Sequence, residues 1–205
     1  QRLIDYLLTA SDSATWLVGT RRMGKTSLLR QIEQLTASGE SLFVPVFWDL
    51  QGCRNSGDMA VELAYALEEA QPRFEPRGVA VRPNAGEDAA DALRSLGRSA
   101  IRADVRPLLL IDEAEALIPI AEAEQAWLAK LRKALQEGNL RCIVTSTKLL
   151  AQLNEVNAGW TTSPFLFGFN LANLWQLDLE AAHALIRQEQ SPHPVQVDDA
   201  LAEEI

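Results

Sequence analysis

Trp16-Leu-Val-Gly-Thr-Arg-Arg-Met-Gly-Lys-Thr-Ser-Leu-Leu29 decides how this chain is read. The apolar triplet Trp16–Val18 reads as a buried strand. Gly19-Thr20-Arg21-Arg22-Met23-Gly24-Lys25-Thr26 then fits G-x-x-x-x-G-K-[ST] at every fixed position. A helix is expected from Lys25 to about Ala37, with Leu28, Leu29, Ile32 and Leu35 on one face and Ser38-Gly39 as its stop. A strand feeding a glycine loop that opens a helix is a phosphate cradle. The glycines let main-chain N–H groups curve inward, and the helix start aims its positive dipole end at the same oxygens. Lys25 is then expected at the β- and γ-phosphates, Ser27 beside them in the first turn, and the Thr26 hydroxyl on Mg²⁺. Arg21 and Arg22 at the loop apex have three readings: γ-phosphate contact, contact to a neighbouring protomer, or solvation.

Working outward, Leu108-Leu-Leu-Ile-Asp-Glu113 is an apolar strand ending in two carboxylates. At the C-terminal edge of a doubly wound sheet, Asp112 is placed to hold Mg²⁺ and Glu113 to take a proton from attacking water. Asp112 is followed by Glu113-Ala114-Glu115 rather than Asp-x-x-Gly, and no Asn-Lys-x-Asp segment occurs, so ATP is favoured over GTP. The tip Thr145-Ser146-Thr147 after the apolar run Cys142–Val144 supplies a hydroxyl near the water, from Thr145, or a helix N-cap; both readings stand. A glutamate beside the metal aspartate resembles the additional-strand, catalytic-glutamate division of P-loop enzymes. That resemblance implies a three-layer α/β fold with a parallel sheet of order 5-1-4-3-2. Pro45, within the expected strand Leu42–Trp48, points to the same edge position for strand 2, because proline cannot donate a ladder hydrogen bond.

The remaining pattern alternates short apolar runs with amphipathic ones, as parallel strands joined by helices do. Helices are expected from Ser56, as a cap, through Met59, Leu63 and Leu67; over 86–102; over 122–137, stopped by Gly138; and over 148–156. Residues 71–85, with Pro72, Pro76 and Pro83, read as a loop, 157–173 as irregular, and Leu174–Leu177 as a fifth strand. A helix over 179–190 follows, on which Arg187 either reaches the γ-phosphate or is solvated. A linker with Pro192 and Pro194 then precedes a last helix that breaks off at Ile205. The chain opens at Gln1 and is read as a piece of a longer protein: residues 1–177 an ATPase core, 178–205 the start of a helical lid.

Of 205 residues, 47% are hydrophobic and 23% charged, which is globular rather than disordered composition. No apolar run approaches the length of a membrane helix, and no signal peptide is recognised, so a cytoplasmic protein is expected. Two cysteines and two histidines make neither a disulfide framework nor a His/Cys metal cluster. The formal net charge of −9 argues against nucleic acid as a partner, since phosphate binding draws on a basic excess.

The stretch Leu17–Leu29 is more specific than the bare loop. It resembles the archaeal and bacterial ATPase group related to AAA+ and STAND proteins, whose loop reads Gly-x-Arg-Arg-x-Gly-Lys-Thr-Ser-Leu-Leu. The runs Leu108–Glu113 and Leu177–Ile186 are similar to that group too, so the likeness covers about residues 10–190. It implies a nucleotide switch: ATP and Mg²⁺ as ligands, closure and self-association on binding, slow hydrolysis, and flanking sensor or effector domains. The sequence departs from the group at Thr145-Ser146-Thr147, where relatives often carry Gly-Ser, and upstream of the loop, where a Gly-Arg-Glu segment is missing or reduced to Gln1-Arg2. An AAA+ motor or loader acting on nucleic acid, and a module that binds nucleotide without turning it over, share these motifs.

Overall fold

A computed structural model describes residues 2–38, 41–81, 86–137, 139–153, 165–175 and 182. The chain divides into two compact units, Gln1–Leu174 and Trp175–Ile205. All the described strands and helices lie in the first. Of the helix expected over 179–190 only Ala182 is described; Arg187, the proline linker and the last helix lie outside the described residues, as do Gly39, Gly138 and positions 154–164.

Five parallel strands form the sheet: β1 (Ala14–Val18), β2 (Phe43–Asp49), β3 (Arg106–Asp112), β4 (Arg141–Ser146) and β5 (Asn170–Asn173). Their spatial order is β2-β3-β4-β1-β5, the expected 5-1-4-3-2 with Pro45 on the edge strand. Register aligns Asp49 with Asp112 and Val18 with Ser146, so the strand tips share one C-terminal rim. Alternation along the buried strands feeds two cores. Leu108 and Leu110 pack with Leu29 and Ile32 of helix α2 (Lys25–Thr36), and with Leu7 of helix α1 (Arg2–Thr9). Leu109 and Ile111 face the opposite layer, built from α3 (Ser56–Phe74), α4 (Ala89–Arg102), α5 (Leu117–Ala123) and α6 (Gln125–Glu137).

Several boundaries differ from the sequence reading. Helix α3 runs through Pro72 to Phe74. Proline inside a helix costs about 3 kcal/mol, but Ala70 and Phe74 are fully buried, and packing outweighs local preference. The cap of α3 is Asn55 rather than Ser56: its side chain accepts from Asp58 N–H at 2.8 Å. The single helix expected over 122–137 is two helices, broken at Glu124 (φ −131°, ψ 53°). The fifth strand is Asn170–Asn173, inside the stretch read as irregular. It is an edge strand in which Ala172 alone is buried, so its polar composition hides the ladder it forms with β1.

Helix α1 was not among the expected elements, and Arg141 explains its place. This β4 residue is 1% exposed. Its guanidinium donates to Leu7 O at 3.0 and 2.6 Å, to Ala10 O at 2.5 Å and to Asp12 O at 2.7 Å. A cation thus closes the carbonyl end of α1, where the helix dipole is negative. Arg141→Ala is expected to destabilise the fold by about 3 kcal/mol, because three carbonyls lose a buried, charged donor. Urea denaturation reads this as a lowered midpoint, and a midpoint unchanged from the wild type contradicts it.

At the far edge, Pro45 O accepts from Arg73 Nη1 at 3.1 Å. Arg73 also pairs with Glu33 at 2.9 Å, Glu33 pairs with Arg30 at 2.7 Å, and the Arg30 guanidinium lies 3.4 Å above the Phe47 ring. This network fastens α2 to α3 across β2. Cys53 and Cys142 are buried free thiols, and burial pushes Cys53 up to about 11, so it stays protonated at neutral pH.

Candidate functional site

The loop after β1 turns twice through left-handed backbone, at Arg22 (φ 63°) and Gly24 (φ 81°). Gly19 is needed for space: a Cβ there would stand 3.3 Å from Leu174 Cβ and 3.4 Å from Lys25 Cγ. Helix α2 begins at Lys25 with no side-chain cap among the described residues, which leaves its first N–H donors aimed into the loop. Lys25 is 8% exposed, and its ammonium donates back to Gly19 O and Thr20 O, each at 3.1 Å. Thr20 is exposed and Met23 half-buried, and neither lines the cleft.

Two tertiary bonds join this loop to the acidic strand. Thr26 Oγ1 donates to Asp112 Oδ2 at 2.6 Å. Thr145 Oγ1 donates to Asp112 Oδ1, which also accepts from Glu113 N–H at 3.1 Å. Asp112 and Thr145 are buried beneath the site. Glu113 stands above them in left-handed backbone (φ 53°, ψ 43°). Burial, then the carboxylates of Glu115 and Asp112, hold its carboxyl above the usual glutamate range, with Lys25 opposing.

Above these residues opens a cleft of about 590 Å³. Arg21, Arg22, Gly24, Lys25, Thr26 and Ser27 line one side and Glu113 the other. Gln51 and Thr147 complete it. Gln51 was not foreseen. A turn places it there, in which Asp49 Oδ1 accepts from Gln51 N–H at 2.9 Å and Gly52 is left-handed at φ 86°. The signal was the run Asp49-Leu-Gln-Gly52 at a strand tip on the same rim as Asp112. The tip of β4 divides its roles. Thr145 serves Asp112, Ser146 Oγ accepts from Trp16 Nε1 at 2.6 Å, and Thr147 Oγ1 accepts from Leu149 N–H at 3.3 Å as a cap. A larger cavity, about 720 Å³, lies between α3 and α4, but among the described residues its lining carries Glu68, Glu87 and Asp88 and no basic side chain, which does not suit phosphate.

The donor chemistry fits a triphosphate with its magnesium. Uncapped amides, an ammonium and two arginines face the cleft, and a hydroxyl and a carboxylate offer two hard oxygens. Among the described residues no group of three or more His, Cys, Asp or Glu could hold a metal ion. Two protein oxygens suit Mg²⁺, which keeps its waters and takes its other ligands from phosphate.

No curated protein matches this chain. Among solved structures, a Walker-type ATPase of Pyrococcus abyssi superimposes with a TM-score of 0.75 at 18% identity, covering 99% of this chain and 60% of that one. The Aeropyrum pernix ORC2 protein, in ADPNP–ADP complexes, gives 0.58 at 14%, covering 91% and 49%. Drosophila ORC bound to DNA gives 0.56 at 18%, covering 92% and 45%. The chain thus spans about half to three fifths of these proteins, and identities this low show the fold. The DNA complex corrects one expectation. A net charge of −9 argues against nucleic acid, yet a protein of this fold is found on DNA. Net charge averages the whole surface, whereas phosphate contacts depend on local charge. A family model described as an AAA domain matches residues 9–153, from the end of α1 past the tip of β4. That match spans more than half of the chain, which therefore belongs to the AAA domain family.

Proposed function

We propose that this chain binds ATP with Mg²⁺ and hydrolyses it slowly, as the nucleotide switch of a longer, STAND-like cytoplasmic protein. What supports the reading above all is the 2.6 Å bond from Thr26 to Asp112, which sets the phosphate loop against the acidic strand beneath one cleft. The loop amides and Lys25 bind the phosphates. Thr26 and Asp112 hold the cation, which supplies charge neutralisation when bound. Glu113, across the cleft, takes the proton of the attacking water, and Thr145 orients Asp112 from below. Residues 178–205 are the start of the lid in this reading, and flanking domains and a second copy are the partners. Arg21 and Arg22 at the cleft mouth are placed for a γ-phosphate or for a neighbouring protomer.

Two protein oxygens are a weak metal site by themselves, so cation and nucleotide should bind together. Titration with a fluorescent ATP analogue is expected to show tight binding with Mg²⁺ and an affinity at least about tenfold lower in EDTA. Mg²⁺ alone should bind no tighter than the millimolar range, a dissociation constant of about 1 mM or weaker. Absence of ATP binding with Mg²⁺ present removes the proposal.

A second reading is an ATPase that works on nucleic acid. The likeness to Drosophila ORC bound to DNA favours it. Hydrolysis strongly stimulated by duplex DNA would select this reading over the switch, and a rate indifferent to DNA would select the switch.

A further inference from the structure

Beyond the effect of its charge on Glu113, Glu115 has no part in the roles above, yet it bonds to Thr147 at the cleft. It lies two residues beyond Glu113 in the 3₁₀ turn Ala114–Ala116, and its Oε1 accepts from Thr147 N–H at 2.6 Å. Its Oε2 is buried with no hydrogen-bond partner among the described residues. A carboxylate oxygen taken out of water without a donor is costly, commonly about 1–3 kcal/mol. A merely capping side chain could leave that oxygen in solvent. The neighbours show what the position secures. Asp112, one residue before Glu113, is bonded to Thr145. Glu115, two residues after it, is bonded to Thr147. Both partners belong to the tip of β4, so the left-handed turn at Glu113 is held from each side. Non-glycine residues persist in that conformation where the surroundings over-determine it.

We propose that Glu115 is a positioning residue for the reaction: by fixing Thr147, it ties the turn that carries Glu113 to the tip of β4, so that carboxylate and tip face the cleft in one relation. The proposal rests on reading Glu113 as the base, and its test separates the two. Hydrogen exchange at the Thr147 amide, followed by NMR without nucleotide, reads the tie itself. Exchange should be at least about tenfold faster in Glu115→Ala and close to wild type in Glu115→Gln, which retains the acceptor. With ATP, Glu115→Ala should lower kcat about tenfold while the ATP dissociation constant stays within about twofold, and Glu115→Gln should restore kcat. If Glu115→Ala does not fold, Glu115→Asp, which draws the acceptor back by one methylene, carries the same expectations. Unchanged exchange in the alanine variant, an unchanged kcat, or affinity falling in step with kcat each overturns the proposal. A wild-type protein that binds but does not hydrolyse ATP defeats the base assignment instead, and the exchange measurement still decides the tie.

Discussion

Lys25→Ala is expected to weaken ATP binding about a hundredfold or more, the loss of roughly 3 kcal/mol that a charge-assisted bond to phosphate carries in a shielded site. The lysine is 8% exposed, so water screens its ammonium poorly. That ammonium donates to Gly19 O and Thr20 O, and both acceptors belong to the loop that encloses it. The loop's own carbonyls thus hold the charge in place, and little ordering cost attends its use on a phosphate. Calorimetric titration of the folded variant is the measurement. An affinity equal to the wild type would dismiss the loop as a phosphate site, since Lys25 is the one buried cation among the described residues that line the cleft.

Glu113→Gln should behave in the opposite way. ATP affinity is expected to stay within about twofold, while phosphate release falls by about 10²–10⁴, the usual contribution of a positioned base. Glutamine keeps the length and shape of the side chain, so the left-handed turn at φ 53° survives the change and proton acceptance alone is lost. Together the two variants divide binding from turnover. Hydrolysis by Glu113→Gln at the wild-type rate would remove the glutamate from the chemistry.

What the sequence disclosed of this fold came from contiguous signals. Pro45 alone argued for the sheet edge, and it lies there. The unbroken apolar run at 107–111 announced a strand buried on both faces, and the glycine loop and the Asp112–Glu113 pair could each be read as one short word. The parts that were missed depend on residues far apart in the chain. Nothing near Arg141 shows that it closes α1, since its partners lie about 130 positions away. Pro72 reads as a stop unless the burial of Phe74 is known. β5 forms because β1 offers it a ladder, not because Asn170–Asn173 prefers to be extended. In the site the same division holds: the loop, the acidic pair and the Thr145–Thr147 tip are local motifs, whereas the turn that brings Gln51 to the cleft and the bond from Thr147 N–H to Glu115 follow from no spacing rule.

The pairing of Pro45 with Arg73 bears on how copies of this chain can meet. At this position the rim of β2 presents no N–H, because the residue is proline, and its carbonyl is already claimed by a guanidinium. An incoming strand would find neither donor nor acceptor midway along the β2 margin, so the sheet resists lengthening by an added β-strand there. Copies that meet at this edge would have to use side-chain surfaces instead, because the margin offers no ready ladder there.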